Sequence, residues 1–349
     1  WSSDVCSSDL IVSAIEGAAA NPVEFARELI ASVSRPYFID GSEISVRASI
    51  GVALASQCGR NRVEWMKAAD LALYEAKDSG RGAAFLYTKR LGDRADSQAA
   101  IEKGLKDALE KNQFELHYQP IVSALTEKPV AYEALLRWRH PANGLVAPMT
   151  FIPIAESTGL IIDIGEWVIE TVCRDMARLP PDARVAVNCS AVQFERSDLV
   201  RIVEAATRKH GLSPRRLEIE ITETMLIRET PRAKAQLQAL RDIGVMISMD
   251  DFGTGYASLG YLELYPIDGL KIDRSFVAKV TTEPRAQAIV KTIVDLATTY
   301  GMTTVAEGVE TSKQRDMLTA LGCDRLQGYY FGRPEPLAGV EERIHARAA

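Results

Sequence analysis

From about residue 113 the chain alternates short apolar runs with longer stretches of helical period. The runs are 114–118, 130–136, 184–188, 217–221, 246–250, 268–272, 303–307 and 323–327. Each has the length of a strand. The stretches between them have helical spacing; in Arg285–Tyr300, for example, Ile289, Ile293, Val294 and Ala297 form one stripe and Gly301 follows as a C-cap. Eight strands alternating with helices over roughly 240 residues predict a (β/α)8 barrel.

The chain before residue 101 has a different texture. Residues 11–88 predict a small α/β unit. Pro22–Ile30 has helical spacing with Asn21 as its start. Residues 44–53 alternate like a strand. Trp65–Lys77 predicts an amphipathic helix with Met66, Ala69, Leu73 and Ala76 on one stripe, stopped by Gly80-Arg81-Gly82. Residues 89–100 are polar and poor in apolar residues, which predicts a linker; a second domain then runs over 101–349. The first ten residues, WSSDVCSSDL, show neither period and read as a non-native leader. Asp4–Leu10 back-translates as GAC GTG TGC TCT TCC GAT CT, similar to the tail of a sequencing-library adapter. On that reading the natural chain starts earlier.

Composition narrows the function classes. The 349 residues carry 41 Lys+Arg against 47 Asp+Glu, a net charge of -6, which argues against a nucleic-acid polymer as partner. A hydrophobic share of 47% suits folded domains and excludes wholesale disorder. The five cysteines are scattered and odd in number, with no CxxC spacing. They predict neither a disulfide framework nor a zinc knuckle, and fit a reducing compartment. No apolar run approaches the ~18 residues of a membrane span, so no membrane contact is expected from this segment.

The chemistry sits at the strand ends, where barrels of this type place their ligands. Glu133 lies in the second strand. Asn188 ends the third, Glu220 the fourth and Asp250-Asp251 the fifth. Lys271 and Asp273 belong to the sixth, Glu307 ends the seventh and Gln327 the eighth. Any one of these alone reads as an ordinary surface or capping group. Polar ends on seven of eight strands, nearly all oxygen donors, point to one site. Converging carboxylates repel each other without a cation, and oxygen-only ligation suits Mg2+ or Mn2+ better than Zn2+. Asp250 and Asp251 face opposite ways in a regular strand. They can share one cleft only if the chain leaves the strand there, as Gly253 and Gly255 permit. Two metals about 3.5–4 Å apart would suit in-line attack of water on a phosphodiester. Lys271 adds a positive charge; the plainer reading makes it a structural partner of Asp273.

At these residues the chain resembles a known family. Residues 100–340 resemble the EAL domains of bacterial cyclic-di-GMP phosphodiesterases. The naming motif stands as Glu133-Ala134-Leu135, extended to Leu136-Arg137-Trp138. Other matching blocks are Tyr118-Gln119-Pro120, Val187–Ser190, Glu218–Thr224, Asp250–Leu259, Leu270–Asp273, Ala306–Thr311 and Gln327–Pro334. The resemblance implies a TIM-like (β/α)8 barrel whose first strand runs antiparallel to the rest. It implies hydrolysis of cyclic-di-GMP to linear pGpG with two ions, Mg2+ or Mn2+. Glu133, Asn188, Glu220 and Asp250 resemble ligands of the first metal. Asp250 is shared, and Asp251 belongs to the second. Lys271 and Glu307 resemble the pair that holds and polarises the attacking water, and Gln327 a residue bonded to metal-bound waters. Gln119 and Arg137 resemble substrate contacts, Arg137 on a phosphate. Asp273, Glu223 and Glu310 resemble supporting residues. Glu223 is grouped with the catalytic step through the 250–260 loop, away from the metal. Ala257 and Cys189 depart from the family pattern; neither is a ligand, and Cys189 reads as a small buried hydrophobe.

Residues 11–88 resemble the C-terminal half of a GGDEF diguanylate cyclase domain. The cues are Ser49–Val52, Ala69–Lys77 and Gly80-Arg81. The resemblance makes Lys77 and Arg81 phosphate contacts, and their i,i+4 spacing would share one helix face. The loop that gives that family its name is absent, which argues against cyclase activity. The alternative reading is a catalytically inactive EAL domain that senses cyclic-di-GMP; retention of every ligand and of the lysine favours the enzyme. A homodimer through the EAL domain and a cytoplasmic location are further expectations, whether or not a longer parent carries a membrane anchor.

Overall fold

Asn21 caps the helix Pro22–Val33, its side chain accepting the Val23 N–H at 3.1 Å. The computed structural model describes residues 21–59, 61–142, 144–223, 225, 230–253 and 259–348. The leader at 1–10, Gly255 and Ala257 lie outside the described residues. The chain divides into two compact units after Ala100.

In the first unit the alternating stretch 44–53 splits. Ser42–Ile44 pairs antiparallel with Tyr37–Ile39, and Ile50–Val52 pairs parallel with Ala84–Leu86. The helix Arg62–Asp78 buries Ala68, Ala72 and Ala76; of the expected stripe Ala76 is buried, Ala69 and Leu73 are half-buried, and Met66 is exposed. Ala69 and Leu73 approach the Ile50–Val52 strand closely. A Cβ on Gly51 would lie 2.1 Å from the Ala69 carbonyl oxygen, so only glycine fits at that position. The helix ends at Asp78, and Arg81 has φ +64°, so Lys77 and Arg81 do not share a helix face. Residues 89–100, read as a linker, are helical within Lys89–Ala108. They are polar, but Lys, Arg, Ala and Gln are good helix formers and no proline interrupts them.

The second unit is a closed eight-stranded barrel. Its strands are Phe114–Ser123, Pro129–His140, Arg184–Asn188, Leu217–Thr222, Met246–Phe252, Gly269–Ile272, Thr303–Ala306 and Arg325–Gln327. Each pairs with the next in chain order, except that the eighth returns to the first. The first strand is antiparallel to both its neighbours, and the other neighbouring pairs are parallel. Short strands Gly144–Val146 and Glu335–Pro336, unforeseen in the sequence, extend the sheet from the second and first strands.

Helices cover the outside. Pro284–Tyr300 buries Ala286, Val290, Ile293, Val294 and Ala297 against the barrel, and Gly301 ends it at φ +69°. The large apolar core lies between barrel and helices, while Ile121, Ala131 and Val305 form a separate small cluster inside the barrel. Among the described residues no helix is long and apolar enough to cross a membrane.

Candidate active site and metal centre

Alternation along each strand sends Glu133, Glu220, Asp250 and Lys271 into the barrel at its C-terminal end. Glu133 sits opposite Gln119 in register, and Glu220 opposite Asn188. Lys271 is 1% exposed, yet carries an ammonium. Its Nζ lies 2.7 Å from Glu307 Oε1, 2.8 Å from Glu220 Oε2, 3.2 Å from Asp250 Oδ1 and 3.8 Å from Glu133 Oε1. Asp273 does not pair with it: its carboxylate accepts the Ser275 N–H at 3.0 Å and caps the short helix Arg274–Val277. The partners of Lys271 are therefore the carboxylates of the barrel mouth and not Asp273.

The protonation energetics follow from this crowding. Burial alone would lower the Lys271 pKa, but the carboxylates around it outweigh burial and raise it well above the usual lysine value. Burial pushes Glu220 well above the usual carboxylate range, with Glu133 and Asp250 adding to the rise and Lys271 opposing it. Burial likewise pushes Glu307 up to about 7 against the pull of Lys271. One ammonium faces four carboxylates, so the cluster holds an excess of negative charge. Both Glu220 oxygens also lack a well-aligned hydrogen bond despite the close ion pair. Orphaned buried carboxylate oxygens in an anionic cluster are what a hard cation satisfies.

Asp251 completes the acidic mouth. Asp250, Asp251 and Glu307 each offer an oxygen within 4.8 Å of the others. The two adjacent aspartates reach one cleft because the ladder breaks between Met249 and Phe252 and Asp251 takes φ +55°. The turn thus begins at Asp251 itself, with Gly253 at φ +93° continuing it. Partial burial, then the charges of Asp250 and Asp273, push the Asp251 pKa up.

Amide side chains line the other wall. Glu133 accepts from Asn188 Nδ2 at 2.7 Å and from Gln327 Nε2 at 2.6 Å. Gln327 Nε2 also donates to Gln119 Oε1 at 3.1 Å, and Gln119 donates to the Gly332 carbonyl at 3.1 Å. That orientation leaves Asn188 Oδ1 as the atom a cation would use. Beyond Asn188, Ser190 caps the helix Ala191–Arg196 and donates to Glu156 at 2.6 Å, which pins the turn. Arg137, four residues past Glu133 and on the same strand face, is half-buried and donates to the Leu136 carbonyl at 2.9 Å.

Two expected supports behave differently. Glu223 is buried just past the fourth strand, and neither carboxylate oxygen has a hydrogen-bond partner among the described residues. Glu310 is exposed, and its backbone N–H donates to Gln314. Cys189 is buried, its thiol pushed up to about 12 by burial and by Glu220. Sequence reasoning passed over Glu218, Ser248 and Arg325, which lie inside the barrel below the site. Their two-residue offset from Glu220, Asp250 and Gln327 was the available signal.

Comparison with known proteins agrees with this architecture. Residues 102–334 match the family model of the EAL domain, and residues 10–83 that of the GGDEF diguanylate cyclase domain. The chain is 44% identical over 332 residues to the bifunctional diguanylate cyclase/cyclic di-GMP phosphodiesterase MucR of Pseudomonas aeruginosa, covering 94% of this chain and 48% of that protein. It is 40% identical to the cyclic di-GMP phosphodiesterase NbdA of the same organism, covering 92% of this chain and 41% of that protein. The chain thus spans about half the length, or less, of these relatives. The solved structure of the PaMucR phosphodiesterase in a c-di-GMP complex superposes with a TM-score of 0.66 at 46% identity, over 69% of this chain and 99% of that one. The EAL enzyme Bd1971, bound to cAMP and cyclic-di-GMP, gives 0.69 at 36% identity, over 73% and 72%. The chain belongs to the EAL domain family and carries a GGDEF region ahead of its barrel.

Proposed function

We propose that this protein hydrolyses cyclic-di-GMP to linear pGpG. The observation that carries the reading is the buried cluster of Glu133, Glu220, Asp250 and Glu307 around Lys271, with Asp251 at its mouth. Relatives named as cyclic-di-GMP phosphodiesterases support the substrate. Glu133, Asn188, Glu220 and Asp250 would hold one divalent ion, and Asp250 with Asp251 a second. When bound, such ions supply Lewis-acid charge at the phosphate and make a water acidic enough to attack near neutral pH.

The remaining work falls to the chain's own side chains. Gln119 and Arg137 bind and orient the dinucleotide, the guanidinium matching a phosphate. Lys271 and Glu307 hold the attacking water in line, and Glu307 accepts its proton. The new bond joins water oxygen to phosphorus; the bond that breaks is phosphorus to the 3′ oxygen, which takes up a proton from solvent as the 3′ hydroxyl, and the ring opens. Gln327 and Asn188 keep Glu133 oriented by donating to both its oxygens.

The test is to incubate the chain with cyclic-di-GMP and separate the products. Mg2+ or Mn2+ should support conversion to pGpG, and Ca2+ should not, because its longer bonds and higher coordination position water poorly. Binding of cyclic-di-GMP with no hydrolysis under Mg2+ or Mn2+ would establish the inactive sensor instead.

A further inference from the structure

Residues two apart in a strand share a face and lie about 7 Å apart. Each site residue therefore has a residue beneath it inside the barrel. Ala131 lies under Glu133, Ala186 under Asn188, Glu218 under Glu220, Ser248 under Asp250, Gly269 under Lys271 and Arg325 under Gln327. Ile121 lies under Gln119 and Val305 under Glu307, and Ala131, Ala186, Ser248 and Gly269 are small. That leaves room for two long charged side chains to meet across it.

They do meet. Arg325 Nη1 on the eighth strand lies 3.4 Å from Glu218 Oε2 on the fourth, across the barrel. The other Glu218 oxygen accepts a hydrogen bond from the Ser248 hydroxyl on the fifth strand. Ser248 Oγ in turn fills the notch at Gly269, only 2.6 Å from where a Cβ would stand. Glu218 and Ser248 are 2% and 1% exposed. A buried ion pair adds little stability compared with apolar residues of the same volume. An apolar pair could not, however, tie opposite walls of the barrel together with directional bonds.

We propose that Glu218, Ser248 and Arg325 are positioning residues, a charged brace across the barrel that holds Glu220, Asp250 and Gln327 at the separation a bound cation requires. The proposal rests on the metal-dependent reading of the site. It extends that reading to residues that touch neither metal nor substrate.

The experiment titrates Mn2+ into the full 349-residue chain by calorimetry without nucleotide, and measures cyclic-di-GMP turnover separately. Three variants are compared with the parent: Ser248→Ala, Arg325→Met, and the double variant Glu218→Gln/Arg325→Met. The double variant removes the brace without stranding a buried charge. It should keep a cooperative thermal transition yet bind Mn2+ about 10-fold more weakly, as loss of groups behind metal ligands commonly does. Its kcat should fall while KM for the dinucleotide stays within about threefold, because Gln119 and Arg137 are untouched. Ser248→Ala, which strands no charge and is the variant least able to unfold the barrel, should weaken Mn2+ by about threefold or more. Parent-like Mn2+ affinity in Ser248→Ala, or in a folded double variant, would overturn the brace. An inactive parent that still binds Mn2+ would defeat the hydrolase reading alone, leaving the Mn2+ affinities to judge the brace.

Discussion

Lys271 concentrates the residue-scale argument. Its ammonium contacts Glu307, Glu220 and Asp250 within 3.2 Å and is buried among them. Lys271→Met keeps the length and removes the charge. If the lysine holds the attacking water, turnover should fall by about two orders of magnitude or more. Binding should change far less, because Arg137 and Gln119 still hold the dinucleotide. Asp250→Asn should instead damage both, since it strips charge from the position shared by two metals. The paired measurement is turnover under Mg2+ and equilibrium binding under Ca2+. Parent-rate hydrolysis by Lys271→Met, or loss of binding as complete as loss of turnover, would remove the lysine from this role.

At the scale of elements, the fifth strand shows how a local distortion makes a site. Asp251 holds φ +55°, a conformation that strains most side chains and that glycine adopts freely. Asp251→Gly should therefore raise the melting temperature of the metal-free protein by a few degrees, on the scale of ~1 kcal/mol in a domain of this size. The same variant should lose most hydrolysis, having lost the second-metal carboxylate. A melting temperature that falls in metal-free buffer would show that Asp251 is not strained. This distortion also marks where sequence reading reaches its limit. The cleft shared by Asp250 and Asp251 is legible, since adjacent carboxylates can converge only through a break in the strand. That the break falls on Asp251, ahead of the glycines, depends on pairing with the sixth strand. Likewise the eight barrel strands are readable because apolar runs and polar ends recur in step. The face of Arg62–Asp78 is legible in part: Ala69, Leu73 and Ala76 turn inward as their spacing implies, while the close packing at Gly51, a contact made through folding, is not visible in the helix's own period. The helix over 89–108 hides for a related reason: local propensity forms it, and no apolar stripe announces it.

At the scale of the whole molecule, the acidic cluster ties folding to both protons and cations. Without metal, Glu307 has its pKa pushed up to about 7, and Glu220 is raised as well, so the folded state binds protons that the unfolded state has released. Stability therefore falls as pH rises above the ordinary carboxylate range, and the Glu307 share of this penalty is fully present above about 7. A divalent cation reverses the balance, because it binds the ionised carboxylates and competes with those protons. The stabilisation given by Mn2+ over chelator should consequently be largest near pH 8 and shrink steadily toward pH 6. Comparing melting temperatures in the two conditions at each pH cancels titrations elsewhere in the chain, which contribute equally to both. Glu307→Gln removes one of the two raised carboxylates, so it should flatten the dependence while leaving a smaller Mn2+ effect from the remaining carboxylates. A Mn2+ stabilisation that stays constant or grows as the pH falls would mean that the cation binds away from this cluster.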